Sequence, residues 1–172
     1  MPETLASRES LIWLLPIVFM LHDLEEIVGL RPWLRRNRTG ISARLPSFGA
    51  KTLDWMLALE PERFAGIVAY EFVLISLSSI LAVGWGFTNL WLGIFSVFTL
   101  HLFVHIGQAL FLRRIFPALP SSLLALPYCG LVLQRFADDF AVAPLTIAAY
   151  ALLGFFAAAA GFVVIGRLAR SR

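Results

Sequence analysis

A histidine and two glutamates interrupt an otherwise apolar stretch near the start of the chain. His22, Glu25 and Glu26 follow residues 11–21, which are almost wholly apolar. If this stretch is helical, the three side chains share one face, because positions i, i+3 and i+4 lie within one turn of each other. Burying such groups without partners costs free energy. The pattern therefore predicts that they converge on a ligand, and we expect a metal ion.

Residues of the same chemical types occur in two later apolar stretches. Glu71 lies in the second, while His101 and His105 lie four positions apart in the third, with Gln108 on the same helical face. Imidazole and carboxylate together suit a divalent metal ion, with zinc preferred over iron or manganese, in one or two sites. Glu26 is also the candidate catalytic base. The predicted metal ligands are His22, Glu25, Glu26, Glu71, His101 and His105.

The composition indicates that these groups lie in a membrane protein. Hydrophobic residues make up 59% of the 172 residues and charged residues 15%, and the mean hydropathy is +0.82. A water-soluble domain of this size cannot hide so much apolar surface. The length suits one transmembrane helical domain over residues 1–172. Cys129, the one cysteine, leaves no internal disulfide and is expected to be an apolar filler.

Five apolar segments predict an all-α, polytopic transmembrane bundle. The fourth segment is short and contains Pro127, so whether it spans completely stays open. A basic connection at residues 31–63 separates the first two segments and contains a predicted amphipathic helix at residues 51–60. The five segments cover approximately residues 10–30, 64–85, 90–112, 118–136 and 144–165.

The basic residues predict the orientation of the bundle. Placing the basic connection, Arg113, Arg114 and the C-terminus in the cytoplasm puts 12 of the 14 Lys and Arg residues inside. This bias predicts an external N-terminus and a cytoplasmic C-terminus, in a plasma (inner) membrane of the bacterial type. At about 1.5 Å per residue, the six candidate ligands then fall in one layer, roughly 6–17 Å from the cytoplasmic boundary.

Each of these groups also has a purely structural interpretation. His22 could be an isolated, hydrogen-bonded histidine, and Glu71 could pair with an arginine such as Arg31. His101 and His105 could pass protons without a metal. Asp23 points roughly 100° away from His22 on a helix, and we expect it to face solvent or a partner.

The sequence HDLEE at residues 22–26 resembles the signature of the HXXEE family, small multi-pass membrane proteins named for that motif. The pair of His101 and His105 resembles the further histidines of that family, and the likeness extends over residues 11–167. The resemblance implies a membrane bundle with the same site residues. It implies no reaction, because the function of the family is unknown.

We expect a membrane-embedded, metal-dependent enzyme in which Glu26 or another free carboxylate is the general base for metal-activated water. The substrate would be a lipid or other hydrophobic molecule entering from the cytoplasmic side, which favours hydrolysis. Oxidative di-iron chemistry ranks lower, because membrane desaturases and hydroxylases carry many more histidines. One alternative is a small proton-coupled carrier with a His/Glu relay. A second is a non-catalytic adaptor whose basic connection binds lipid or a partner. We expect no nucleic-acid partner and leave homo-oligomerisation open.

Overall fold

The chain is helical throughout the part that the structure describes. The structure is a computed structural model that describes residues 7–44 and 47–168. Helices and no strands occur in these two ranges, so the predicted all-α fold is confirmed. The helices are α1 (Arg8–Ser42), α2 (Ser47–Ala58), α3 (Pro61–Trp85), α4 (Thr88–Leu112), α5 (Leu119–Arg135), α6 (Ala137–Val142) and α7 (Pro144–Leu168).

Helix α1 is 35 residues long and continues beyond the end that the sequence predicts at residue 30. Both Pro16 and Pro32 lie inside it. Each proline removes one intrahelical hydrogen bond. Beyond Pro32, Leu34 and Ile41 are buried in a cluster with apolar side chains of α2 and α4, and this packing keeps the chain helical. The predicted end of the first helix is therefore wrong.

Helix α2 confirms the predicted amphipathic helix, although it begins before residue 51. Leu53 is buried against α1 and α4. The ring of Trp55 packs on that of Phe162 in α7, with the centroids 5.4 Å apart. Helix α3 then begins at Pro61, with Glu60 as its N-cap residue, and proline suits this first turn because its missing N–H has no intrahelical partner there.

Three helices are long and apolar enough to cross a membrane, namely Pro61–Trp85, Thr88–Leu112 and the Pro144–Val164 part of α7. Within the described residues, α1 and α5 are not both long and apolar enough to qualify as membrane-spanning helices. Helix α5 has only 17 residues, and the apolar part of α1 carries an Asp and two Glu. Large apolar side chains also cover the outside of the bundle, as Leu110 and Leu145 show at 74% and 85% exposed. Length and composition thus support three of the five predicted spans.

Helix α4 occupies the centre of the bundle, where it packs against α1, α3, α5 and α7. Gly93 allows the close approach of α7, because a Cβ atom at this position would lie 2.6 Å from the Cβ of Tyr150. Further along α4, Phe95, Phe98 and Leu102 enter the main core together with side chains of α1 and α5. The histidines of α4 are therefore carried on the most enclosed helix.

The orientation predicted from the basic residues depends in part on the C-terminus. Arg170 and Arg172, which it places in the cytoplasm, lie outside the residues that the structure describes.

Candidate metal site

Four of the six predicted ligands meet between α1 and α4. One donor atom from each of His22, Glu26, His101 and His105 lies within 4.8 Å of the other three; we call these residues the His/Glu cluster. Each helix contributes two residues four positions apart, which therefore point to the same side. His22, Glu26 and His105 are only 1%, 6% and 5% exposed. The sequence prediction that residues of the first and third apolar segments form one site is thus supported by the geometry.

His105 lies at the centre of the hydrogen bonds within the cluster. Its Nε2 atom is 2.8 Å from Oε1 of Glu26 and 2.8 Å from Nε2 of His101. On the other side of the ring, Nδ1 lies 3.1 Å from Oε1 of Gln108, an amide oxygen that can only accept. His105 is therefore oriented from both sides, by Gln108 on its own helix and by Glu26 on α1.

One ring nitrogen of His22 has no hydrogen-bond partner among the described residues. Its Nδ1 atom lies 3.0 Å from Oγ of Ser121 in α5, and the Ser121 hydroxyl donates to the carbonyl of Ala118 at 3.2 Å. Because that hydroxyl has one proton, it accepts from His22, which places the imidazole proton on Nδ1. Nε2 then carries a lone pair, is buried and has no partner among the described residues. An unpaired buried acceptor costs free energy, and metal ligation would satisfy it.

Glu25, on α1, lies outside the His/Glu cluster and binds the N-terminus of α5. Its Oε2 atom accepts a hydrogen bond from the backbone N–H of Ser121 at 3.0 Å. Ser121 is the third residue of α5, so this N–H is one of those that a helix leaves unpaired at its N-terminus. A carboxylate also interacts favourably with the dipole there. Glu25 thus positions Ser121, and Ser121 positions His22, whereas the sequence predicts that Glu25 is itself a ligand.

The other two acidic residues of this region also differ from expectation. Glu71 is half-buried on α3 and does not belong to the cluster. Its suggested pairing with Arg31 is wrong, because Arg31 binds Glu60 through both terminal nitrogens, at 2.7 and 3.0 Å. Asp23 does not face solvent: it is 3% exposed, and its Oδ2 has no partner among the described residues. Helix α1 packs against α3 as well as α4 and α5, so the face that carries Asp23 is buried too.

The donor set and its surroundings fit a divalent metal ion. Four ligands about 2.1 Å from a tetrahedral zinc ion lie roughly 3.4 Å apart. The donor atoms of the cluster lie within 4.8 Å of one another, so side-chain shifts of roughly 1 Å would bring them into range. The ring of Phe98 lies 5.9 Å from that of His22, and the ring of Phe116 lies 5.7 Å from that of His105. These apolar walls keep bulk water from the imidazoles.

Sequence reasoning missed Ser121. The sequence does contain one indication, the pair of Ser121 and Ser122 at the start of the fourth apolar segment. The predicted topology places this start at the cytoplasmic side. Spacing along one helix says nothing about which other helix lies next to it. The contact between Ser121 and His22 becomes visible only once the structure shows that α1 and α5 are neighbours.

Comparison with known proteins agrees with the motif. A family model described as protein of unknown function with HXXEE motif matches residues 13–132. The match contains the whole His/Glu cluster together with Ser121 and ends within α5, so it is shorter than the likeness over residues 11–167 expected from the sequence. No curated protein and no solved structure matches the chain.

Proposed function

The chain belongs to the HXXEE family, and we propose that it is a membrane-embedded, metal-dependent hydrolase whose His/Glu cluster binds a divalent metal ion. The observation that carries this proposal is the group of four donor atoms, one from each of His22, Glu26, His101 and His105, that lie within 4.8 Å of one another. In addition, Nε2 of His22 is buried and has no partner among the described residues. Three imidazoles and a carboxylate suit zinc first, and iron or manganese next. The substrate is a lipid or another hydrophobic molecule, because the cluster is enclosed in an apolar bundle.

The chemistry follows from the roles that the side chains can take. A divalent ion bound here would lower the pKa of a water molecule and polarise a substrate oxygen. The three imidazoles would hold the ion, and a coordination position would stay open if Glu26 is not a ligand. Glu26 is then the general base, since its carboxylate lies at the cluster and can accept a proton from water. Glu25 and Ser121 keep the His22 ring in the orientation that ligation needs.

We further propose a single domain that spans the membrane five times, through α1, α3, α4, α5 and α7, with the N-terminus outside and the C-terminus in the cytoplasm. The three apolar helices support membrane insertion. The ion pair of Arg8, at the start of α1, with Asp139 of α6 supports placing these two elements on the same side of the membrane. The distribution of the basic residues supports which side that is. The cluster then lies in the cytoplasmic half of a plasma membrane.

Elemental analysis of the purified protein tests the proposal. We expect stoichiometric zinc, iron or manganese in the wild type and its loss in His22→Ala and His105→Ala. Tyr128→Phe is the matched control, because it removes a buried hydrogen bond to the carbonyl of Leu11, 2.9 Å long, elsewhere in the same bundle. A folded wild type that takes up no metal after incubation with each of the three ions would overturn the proposal.

Hydrolysis is tested separately from metal binding. Metal-loaded protein is incubated with a total polar lipid extract, and the products are identified by mass spectrometry. We expect the loss of one lipid class in the wild type and no change with Glu26→Gln. Loss of that lipid at equal rates with both proteins would exclude Glu26 as the base.

A proton-coupled carrier is the second candidate, and one observation favours it. His105 links Glu26 to His101 through two contacts of 2.8 Å, which form a short chain of exchangeable protons. Proteoliposomes with an internal pH dye distinguish the two candidates. A carrier would move protons without metal, and Glu26→Gln would stop the movement, whereas a hydrolase would leave the internal pH unchanged.

A further inference from the structure

Two adjoining cavities lie beside the part of α1 that comes after His22 and Glu26 in the sequence. The larger has a volume of about 410 Å³ and lies between α1 and the start of α3. Its walls contain three guanidinium groups and no carboxylate, and we call it the arginine cavity. It is lined by Ile27, Val28, Arg31, Pro32, Arg35, Arg36 and Pro61.

The arginine cavity carries an excess of positive charge. Glu60 neutralises one of the three arginines, since both terminal nitrogens of Arg31 bind it, and this hydrogen bonding lowers the pKa of Glu60 below its usual value. The Nε atom of Arg31 is nevertheless buried and has no partner among the described residues. Arg35 and Arg36 form no salt bridge within the part of the chain that is described. Guanidinium groups match the oxygens of phosphate in geometry as well as in charge.

The smaller cavity shares wall residues with the arginine cavity and is lined by one residue of the cluster, Glu26. It has a volume of about 30 Å³, and its walls are apolar except for Glu26 and Arg31. Ile27, Arg31 and Pro61 line both cavities. Five residues of helix separate Glu26 from Arg31, which is a rise of roughly 7.5 Å. The smaller cavity has room for about one water molecule, so a bond a few atoms away from a charged group among the arginines would reach Glu26 when the apolar walls of this cavity move apart.

The surface around the arginine cavity indicates a lipid and not a soluble anion. Val28 lines the cavity and is 73% exposed, and Leu24, one turn earlier on α1, is 46% exposed. Exposed apolar side chains beside a basic cavity match a molecule that has an anionic headgroup and an apolar tail. A free phosphate ion would use the arginines and leave these side chains uncovered.

We propose that the arginine cavity binds the phosphate of an anionic phospholipid and presents the bonds next to that phosphate to the His/Glu cluster. The binding stands on the cavity alone. That the bound lipid is the substrate rests on the hydrolase function proposed above. The class of substrate is then an anionic phospholipid of the leaflet that faces the basic connection.

The test measures lipid binding to the full chain purified in detergent, by native mass spectrometry. The probes are dioleoylphosphatidylglycerol, dioleoylphosphatidylcholine and inorganic phosphate. We expect phosphatidylglycerol to bind at least about tenfold more tightly than phosphatidylcholine, and Arg35→Gln/Arg36→Gln to weaken its binding roughly 10- to 30-fold. Arg38→Gln/Arg113→Gln is the matched control: it removes two arginines that do not line the cavity and should change the affinity less than twofold.

Three results would overturn the proposal. The first is equal weakening by both double variants, which would indicate general attraction to basic surface. The second is equal affinity for the two lipids. The third is inorganic phosphate binding as tightly as phosphatidylglycerol, which would assign the cavity to a soluble anion.

His105→Ala separates this proposal from the proposed hydrolase. We expect the folded fraction of this variant to bind phosphatidylglycerol with the wild-type affinity, because His105 does not line either cavity. A wild-type protein that binds this lipid but takes up no metal would refute the hydrolase and leave the lipid site standing. A wild-type protein that binds metal but shows no preference for the anionic lipid would refute the lipid site and leave the metal site standing.

Discussion

Nε2 of His105 lies 2.8 Å from Oε1 of Glu26, and both side chains are almost completely buried. This contact joins α4 to α1 at the cluster. Removing one member of a buried acid–base pair leaves the other without a partner, which costs more than removing both. The stability of variants at these two positions therefore reports on the pair itself, independently of any metal.

The first prediction concerns this pair in the metal-free protein. Glu26→Gln and His105→Gln should each lower the free energy of unfolding by about 3–5 kcal/mol, and the double variant by clearly less than their sum. Denaturation of the purified proteins in detergent measures all three. Arg38→Gln is the control: its pair with Asp54, 2.8 Å long, lies between side chains that are both 62% exposed, so its loss should cost less than about 1 kcal/mol. Strictly additive effects would show that Glu26 and His105 are not coupled.

The second prediction concerns the hydrogen bond from His22 to Ser121. Ser121→Ala should weaken metal binding about 10- to 100-fold, because it removes the group that fixes the proton and the orientation of the His22 ring. Ser122→Ala is a closely matched control. Ser122 is the next residue and also donates to the carbonyl of Ala118, at 2.6 Å, but no hydrogen bond joins it to His22. Competition with a chromophoric chelator gives both affinities, and equal losses would remove the special role of Ser121.

The third prediction separates the two roles considered for Glu25. If Glu25 only holds the N-terminus of α5, Glu25→Gln should keep the metal stoichiometry of the wild type and lower its affinity no more than Ser121→Ala does. The reason is that the carboxylate binds the N–H of Ser121 and lies outside the cluster. Elemental analysis beside His22→Ala decides the matter. Complete loss of metal from Glu25→Gln would show that Glu25 is a ligand, as the sequence predicts.

The fourth prediction concerns the buried carboxyl group of Asp23. Asp23→Asn should raise the free energy of unfolding by about 1–3 kcal/mol, because a buried carboxyl group must either carry an unpaired charge or take up a proton, and a carboxamide needs neither. Asp54→Asn is the control, since Asp54 is exposed and should change stability by less than about 1 kcal/mol. The same denaturation assay measures both. Destabilisation by Asp23→Asn would show instead that this carboxyl group has a favourable partner in the folded protein.

Sequence reasoning was most successful where one helix determines the answer. The spacing of His22 with Glu26, and of His101 with His105, places each pair on one face of its helix. The structure brings these two faces together, and the match to the family model confirms the resemblance read from residues 22–26. The all-α fold follows in the same way from long apolar segments.

Sequence reasoning was less successful where the answer depends on which helices are neighbours. Glu25 shares the helical face of His22, yet it points to the N-terminus of α5, whose position no spacing within α1 reveals. Asp23 was expected at a surface because it points away from His22, but α1 has neighbours on that side as well. Pro32 predicts the end of a helix, but the helix continues past it because Leu34 and Ile41 are buried in a tertiary cluster.

The last prediction concerns the protons that leave when a metal binds. Nε2 of His105 lies 2.8 Å from both Oε1 of Glu26 and Nε2 of His101, so each of these two contacts needs a proton on one of its atoms, and metal ligation needs those atoms free of protons. Metal binding should therefore release about one proton or more, and the affinity should fall as the pH is lowered below the range in which imidazole is neutral. Titration calorimetry in buffers with different ionisation enthalpies counts the protons. Binding of zinc without proton release, with an affinity that does not change between about pH 5 and pH 8, would show that the imidazoles of the cluster do not hold the metal.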